Sequence, residues 1–543
     1  MLRCVGKYVL IISLIAVLSL STGCGKWSGQ MLKKPAPGGN LVYGSLQKPD
    51  NLNPLLSDMV ATQEIGSLVF SGLVLENSKG EWIGDLAIDV PSRENGEVSP
   101  DGLTVTYKLR QGVKWHDGAP FSAEDVKFTW QTIMNPNVNI VSKSGYDKIS
   151  AIDTPDSNTV VVYYKEFYPP FLTLFRTILP KHLLEKEADI NKAAFNRMPV
   201  GTGPFKLMVW NMTGELVFEA NLDYFRGRPN LDQIIYKIIP EANLVLSQLE
   251  AREVDIIGNI PFSLYEQVKA ISGVKAMLTP SMVWEHLDFN LDNALLSDAK
   301  VRQAIMLGID RRAIVSGVLK GGGSPAAGDQ SPLSWAYNPV LSVPGRDVNA
   351  ARSLLTQAGW QQDSDGIFAK DGRKLILGLV TTGDNNVRES VARIIEQQLK
   401  EVGIGVNVQL VKPEVLFAEV LKNRRFEMAL YAWVNGVDPD NTNLWHSKNI
   451  PGSHNGYKGQ NYPGWRNAEV DRLVERGVHT YNLEERKQIY FALQQLIIDD
   501  VPVIPLYFRA NIDAMRDTVI NFSPNPMSGN TWNVWEWGLT KKK

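Results

Sequence analysis

Between Tyr431 and Ser447 the chain reads YAWVNGVDPDNTNLWHS, which brings Trp433, Asp438, Asp440, Trp445 and His446 into one short stretch. Indoles supply flat apolar walls, a carboxylate can neutralise a cation, and an imidazole can donate or accept a hydrogen bond. The stretch begins as the end of an apolar strand, 428–433, and breaks into Asn435-Gly-Val-Asp-Pro-Asp440. There Gly436 permits backbone angles that other residues avoid, and Pro439 blocks a helix. A loop at a strand end is where α/β scaffolds place binding residues. The same residues also suit plain packing, with the tryptophans in a core and the aspartates shaping a turn.

Reaction chemistry finds little support. There is no Gly-x-Ser-x-Gly elbow, no His-Glu-x-x-His helix and no cysteine beyond Cys24. His446 and His454 lack a compact metal-ligand spacing, so neither a metal nor a cofactor is expected. Asp363-Ser-Asp-Gly366 has calcium-loop composition, but its glycine comes too early, and a hairpin turn before Ile367-Phe368 is expected. Gly201-Thr-Gly-Pro-Phe205 lacks the Lys-Ser/Thr pair of a phosphate loop, and Pro204 removes an amide that a phosphate would need. It reads as a tight turn leading into a strand. An anchored extracellular hydrolase stays as the rival class without a motif to carry it.

The elements that must position the 431–447 stretch belong to an exported protein of several lobes. Arg3 and Lys7 precede an apolar run, 8–20, and then Ser21-Thr-Gly-Cys24, which is the layout of a signal peptide over 1–23. Loss of those two cations takes the net charge from −2 to −4, and no basic patch suggests nucleic acid. The two cysteines are Cys4, which leaves with the signal, and Cys24. No disulfide framework follows. Residues 24–40, rich in Lys, Gly and Pro, read as a flexible tether. A body of this length exceeds what one core usually serves.

Along the body, a strand at 41–46 precedes a helix at 62–73. Leu103, Val105, Tyr107 and Leu109 alternate with polar residues, giving a half-buried strand. Ser122 and Asp125 suit a capping box for a helix at 123–134. Strands are expected at 159–164 and 234–239, with a helix at 243–252 and an aromatic, polar crossover at 280–290. Residues 299–319 read as one helix. The run 374–381, 387–402, 405–411 reads strand, helix, strand, with Gly403 as stop signal, and the strand 426–433 delivers the opening loop. Further helix covers 468–499, and 501–506, with Pro502 and Pro505, suits an edge strand.

Several segments together resemble family 5 of the extracellular solute-binding proteins, the oligopeptide-, dipeptide- and nickel-binding receptors of ABC importers. The matching pieces are Val113-Lys-Trp-His-Asp-Gly-Ala-Pro-Phe-Ser-Ala-Glu-Asp-Val-Lys127, Gly201-Thr-Gly-Pro-Phe205, Val301-Arg-Gln-Ala-Ile305 with Ile309-Asp-Arg311, and Trp433 through Asp438-Pro-Asp440 to Trp445-His-Ser447. The oligopeptide-binding lipoproteins look closest, and the end of the signal is similar to a bacterial lipobox with Cys24 as the lipidated residue. The usual leucine three positions before the cysteine is Ser21 here.

The resemblance implies an α/β fold of the periplasmic-binding-protein type, with two α/β lobes joined by hinge crossings near 292 and 500 and an inserted β-rich lobe. Lobe I would be 41–82, 197–292 and 500–543, lobe II 83–196, and lobe III 293–499. It also implies a monomer on the outer face of the cell membrane that captures peptides between lobes and passes them to a permease with a separate ATPase. The ligand site would comprise Trp433, Val434, Gly436, Val437, Asp438, Trp445, His446, Met282 and Trp284, partly through backbone pairing by 434–437 and 281–284. Peptide receptors of the family often hold an aspartate three residues after the tryptophan for the ligand's α-ammonium. That position is Gly436 here, which leaves open Asp438 in that role, longer peptides, a metal chelate or another solute, and a sensing role.

Overall fold

The computed structural model describes residues 37–211 and 214–540. The expected signal peptide, Cys24 and most of the tether lie outside them. Among the described residues no helix is long and apolar enough to cross a membrane.

Local sequence signals account for many of the elements. In Thr104–Lys108 and the residue after it, Val105, Tyr107 and Leu109 are buried while Lys108 faces solvent, and Thr159–Tyr164 pairs with it antiparallel. Helix Ala123–Met134 starts at Ser122, whose backbone N–H donates to Asp125 Oδ2 at 2.9 Å. These elements share a core with Trp115 and Phe121. The strands Ile376–Thr382 and Gly405–Val411 pair in parallel through helix Asn386–Val402, which ends at Gly403 with φ of 100°. The Asp363 turn is a hairpin, closed by the Gly366 N–H donating to the Asp363 carbonyl at 2.9 Å.

The dominant feature is a mixed sheet of eleven strands. From one edge it runs Gly405–Val411, Ile376–Thr382, Met428–Val434, Val274–Phe289, Val503–Arg516, Ile256–Ile257, Asn40–Ser45, Gln233–Ile238, Glu215–Ala220 and Phe205–Trp210, with Gly323–Pro325 beside Val503–Arg516. At its centre lie two long antiparallel strands of 16 and 14 residues. Their side chains serve different cores along their length. Leu278, Ile512 and Ala514 pack with Val245 and Leu249, whereas Leu287, Phe289, Ile504 and Leu506 pack with Leu377, Ile395 and Leu430. The change falls between Thr279 and Trp284 on one strand and between Phe508 and Ile512 on the other, where the pairing register also shifts.

Two expectations are corrected here. The segment 299–319 is two helices, Ala299–Gly308 and Arg311–Gly317, because Asp310 accepts from the Ala313 N–H at 2.8 Å and starts a second helix. Residues 501–506 do not form an edge strand. They lead into the central strand Val503–Arg516, and Pro505, which has no N–H to give, sits opposite His286 at a register shift. The aromatic segment 280–290 belongs to the strand Val274–Phe289, and the strand changes cores at the start of that segment.

The glycines of Gly201-Thr-Gly-Pro-Phe205 answer to close packing. A Cβ on Gly201 would stand 1.8 Å from the Val69 carbonyl oxygen, and the Gly203 N–H donates to that oxygen at 2.8 Å. His116 locks the same turn, its Nδ1 accepting from the Gly201 N–H at 3.3 Å while Nε2 meets the Gly203 carbonyl at 3.0 Å. Burial holds this imidazole down at about 4, so it stays neutral. Gly201→Ala is therefore expected to lower stability by about 1–3 kcal/mol in urea unfolding. Gly345→Ala, at a position with nothing within 4 Å and no left-handed angle, should change it by less than about 0.5 kcal/mol.

Candidate functional site

Strand Met428–Val434 is held on one side by Val274–Phe289, with Trp433 opposite Trp284 and Val434 opposite Val283. It then runs into the Asn435 to Asn441 loop. A cavity of about 150 Å³ opens there, lined by Trp433, Val434, Asn435, Gly436, Asp438, Pro439, Asp440 and Asn441, with Gln330, Asn443, Leu444 and Gln460 closing it. Trp433 is half-buried and lies nearly parallel to the Tyr462 ring at 6.1 Å, and Val434 is 71% exposed.

The loop's backbone is tied at its start and free in its middle. The Asn435 N–H donates to the Met282 carbonyl at 2.9 Å, and Val283 and Val434 pair with each other. Among the described residues the amides and carbonyls of Gly436, Val437 and Asp438 have no backbone partner. Gly436 does not take a left-handed angle, so its role is not the special conformation expected of it.

A buried aspartate shapes the loop from beneath. Asp329 Oδ2 accepts from Asn441 Nδ2 at 2.6 Å and from Trp445 Nε1 at 2.9 Å, and the Asp329 carbonyl accepts from Asn435 Nδ2 at 2.9 Å. Burial raises its carboxyl pKa, opposed by the Trp445 and Asn441 donors. Sequence reading missed Asp329, which carries no local signal of this work.

The expected site residues thus separate into two groups. Trp433, Val434, Gly436 and Asp438 line the cavity, whereas Met282, Trp284, Val437, Trp445 and His446 do not. Trp284 is fully buried and stacked on His286 at 4.2 Å, and Met282 and Trp445 are also buried. His446 Nε2 lies 3.0 Å from Glu475 and its Nδ1 accepts from the Lys448 N–H at 3.1 Å, so both nitrogens serve the local fold. Asp438 meets Arg486 with both oxygens at 2.9 Å in a largely buried pair. Asp440 remains exposed in the cavity, with one oxygen accepting from the Thr442 N–H at 2.9 Å.

A second cavity, of about 260 Å³, lies where the long strands change cores, lined by Asn259, Phe262, Val283, Asn385, Arg509 and Asn511 among others. Arg509 and Arg388 both pair with fully buried Glu285, the latter at 3.1 Å. On the other wall, Asn259 donates to two buried carboxyls, through its N–H to Asp513 and through Nδ2 to Glu64. Among the described residues no group of three or more His, Cys, Asp or Glu is placed to hold a metal ion.

A model of the bacterial extracellular solute-binding proteins, family 5 middle, matches residues 81–454. The chain belongs to this family. Family 5 proteins are extracytoplasmic solute receptors, and the large mixed sheet here is theirs. The oligopeptide-binding protein AppA of Bacillus subtilis is 33% identical over 519 residues, covering 94% of this chain and 93% of AppA. The structure of AppA in complex with a nonapeptide has a TM-score of 0.69, covering 94% of this chain and all of that one. NikZ from Campylobacter jejuni in complex with Ni(L-His) is 28% identical, with a TM-score of 0.71 over 92% of this chain and 99% of NikZ.

Two predictions separate folding roles from ligand roles. Arg486→Met strands a buried Asp438 carboxylate and should cost about 3–5 kcal/mol in urea unfolding, and adding Asp438→Asn should recover most of the loss. Behind the site, burial pushes the Asp288 carboxyl up to about 7, against the Tyr431 hydroxyl that donates to it at 2.5 Å. An acid with a raised folded-state pKa stabilises at low pH and loses that contribution as pH climbs from its unfolded value to the folded one. The stability of wild type relative to Asp288→Asn should therefore fall between about pH 4 and pH 7 and level off above, as followed by melting temperature across pH.

Proposed function

We propose that this protein captures peptides between two bodies and hands them to an ABC import permease. The bodies are lobe I (41–82, 197–292, 500–543) and lobe III (293–499), lobe II (83–196) is carried beside them, and bending occurs where the long strands change cores. The observation that carries this reading is the partner-free backbone of Gly436, Val437 and Asp438 beside the half-buried Trp433 face. Every peptide offers the same N–H and C=O groups, so pairing through them captures many sequences, while water-filled pockets accommodate the side chains. AppA, an oligopeptide-binding protein by its name, supports that ligand class.

Neither Gly436 nor the Arg486-bound Asp438 offers a carboxylate to a ligand ammonium, which leaves exposed Asp440 as the loop's free acid. In this reading the mature protein starts at Cys24, carries lipid there, and works as a monomer at the outer face of the membrane. The nickel chelate held by NikZ supplies the second reading, a whole chelate seated in the same cleft.

Mass spectrometry of material released on denaturing the purified protein tests the choice. Peptides sharing length but not sequence are expected, and a single metal chelate would overturn the peptide reading. Trp433→Ala should weaken binding of the recovered peptides by about 2 kcal/mol in calorimetry with the melting temperature retained, and unchanged affinity would remove Trp433 from the site.

A further inference from the structure

A third recess, of about 270 Å³, shares no lining residue with the two cavities above. Its walls include Gln63, Phe70, Tyr224, Trp532 and Trp535, and Arg176 reaches into it. Among the described residues Arg176 has no carboxylate within ion-pair distance. It donates to neutral acceptors, Ser528 Oγ at 3.0 Å and the Met527 carbonyl at 3.4 Å.

The acids nearby form no ion pair with it. Asp85 also lines the recess, but Oδ1 receives Arg226 at 2.9 Å and Oδ2 accepts from the Gly72 N–H at 3.1 Å. Glu76 is buried with Oε2 unpartnered and beyond ion-pair reach of Arg176, and burial raises its pKa against the opposing charge of Arg176. Arg176 is solvent-exposed in the recess yet surrounded by protein mass, which lowers its own pKa. An arginine so placed has no direct ion pair and feels only the longer-range charge of Glu76, which leaves its guanidinium open to a carboxylate that enters the recess.

The backbone holds it there. Phe175 has φ of 57°, a left-handed conformation that strains a non-glycine residue. It is kept by its N–H donating to the Tyr146 hydroxyl at 2.7 Å and its carbonyl accepting from the Leu73 N–H at 3.0 Å.

Buried side chains link the recess to the cavity at the long strands. Gln63 of the recess precedes Glu64, which accepts from Asn259 Nδ2 at 3.3 Å, and Asn259 lines that cavity. On the other side, Gly529 of the recess precedes Asn530, which donates at 2.7 Å to the same Asp513 oxygen that accepts the Asn259 N–H.

The geometry points to a carboxylate subsite in this recess, filled by an acidic side chain or the C-terminus of the bound peptide, with Arg176 as charge partner and Ser528 as hydroxyl donor. It rests on the peptide reading above and adds a chemical preference to it.

The test is capture from a defined random hexapeptide pool, supplied with free and with amidated C-termini, by wild type, Arg176→Gln and Arg176→Lys, with sequencing of what is retained. Wild type should enrich carboxylate-bearing peptides at least fivefold. Arg176→Gln should lose that enrichment while still retaining neutral peptides, which shows it folded, and Arg176→Lys should keep most of it. Enrichment of Asp and Glu in amidated peptides identifies a side chain as the source, and enrichment of free over amidated termini identifies the C-terminus. Peptides retained equally by wild type and Arg176→Gln without acidic preference would overturn the subsite and leave peptide capture standing. No peptide retained by any of the three would overturn both.

Discussion

The antiparallel pairing of Val274–Phe289 with Val503–Arg516 is the constraint on which the rest depends. Both strands pass from one hydrophobic core to another within a few residues, so the two cores are joined by a pair of hydrogen-bonded strands and not by a loose linker. The register shift between Pro280 and Trp284 is where the ladder is interrupted. An interrupted ladder bends more readily than an intact one. The cavity lined by Val283, Arg509 and Asn511 lies at that interruption, and the Glu285 ion pairs with Arg388 and Arg509 brace it from the side of the helix Asn386–Val402.

A second constraint acts on the loop at the end of Met428–Val434. Asp329 and Arg486 fix it from below, one through Asn435, Asn441 and Trp445 and the other through Asp438. These buried polar groups hold the loop's side chains and leave the backbone at 436–438 unpaired beside a cavity that Gly436 and Asp438 line. Unpaired N–H and C=O groups held in a fixed geometry are a template for another extended chain.

Much of the scaffold was legible because it is written in local patterns. The alternation through Val105, Tyr107 and Leu109, the Ser122–Asp125 capping box and the strand–helix–strand ending at Gly403 each depend on neighbours within a few residues. The candidate site was legible as a place, since Trp433, Val434, Gly436 and Asp438 do share a cavity, but not as a set of roles. Asp438 looks like a ligand carboxylate until Arg486, 48 residues away, is seen against it. Trp445 and His446 are likewise held by Asp329 and Glu475, whose positions in the chain announce nothing. The break at Asp310 did have a signal, an aspartate followed by good helix formers, which the apolar periodicity of 299–319 outweighed.

In the proposed capture, peptide binding changes the angle between lobes I and III on the long strands. Electron–electron distance measurement tests it directly, because protein produced from residue 25 onward has no cysteine and accepts spin labels at Leu222→Cys and Val340→Cys, positions 69% and 84% exposed in the parent chain. A shorter, narrower distance distribution on adding a retained peptide pool is the predicted result. An unchanged distribution with peptide demonstrably bound would contradict closure and place capture on a rigid surface.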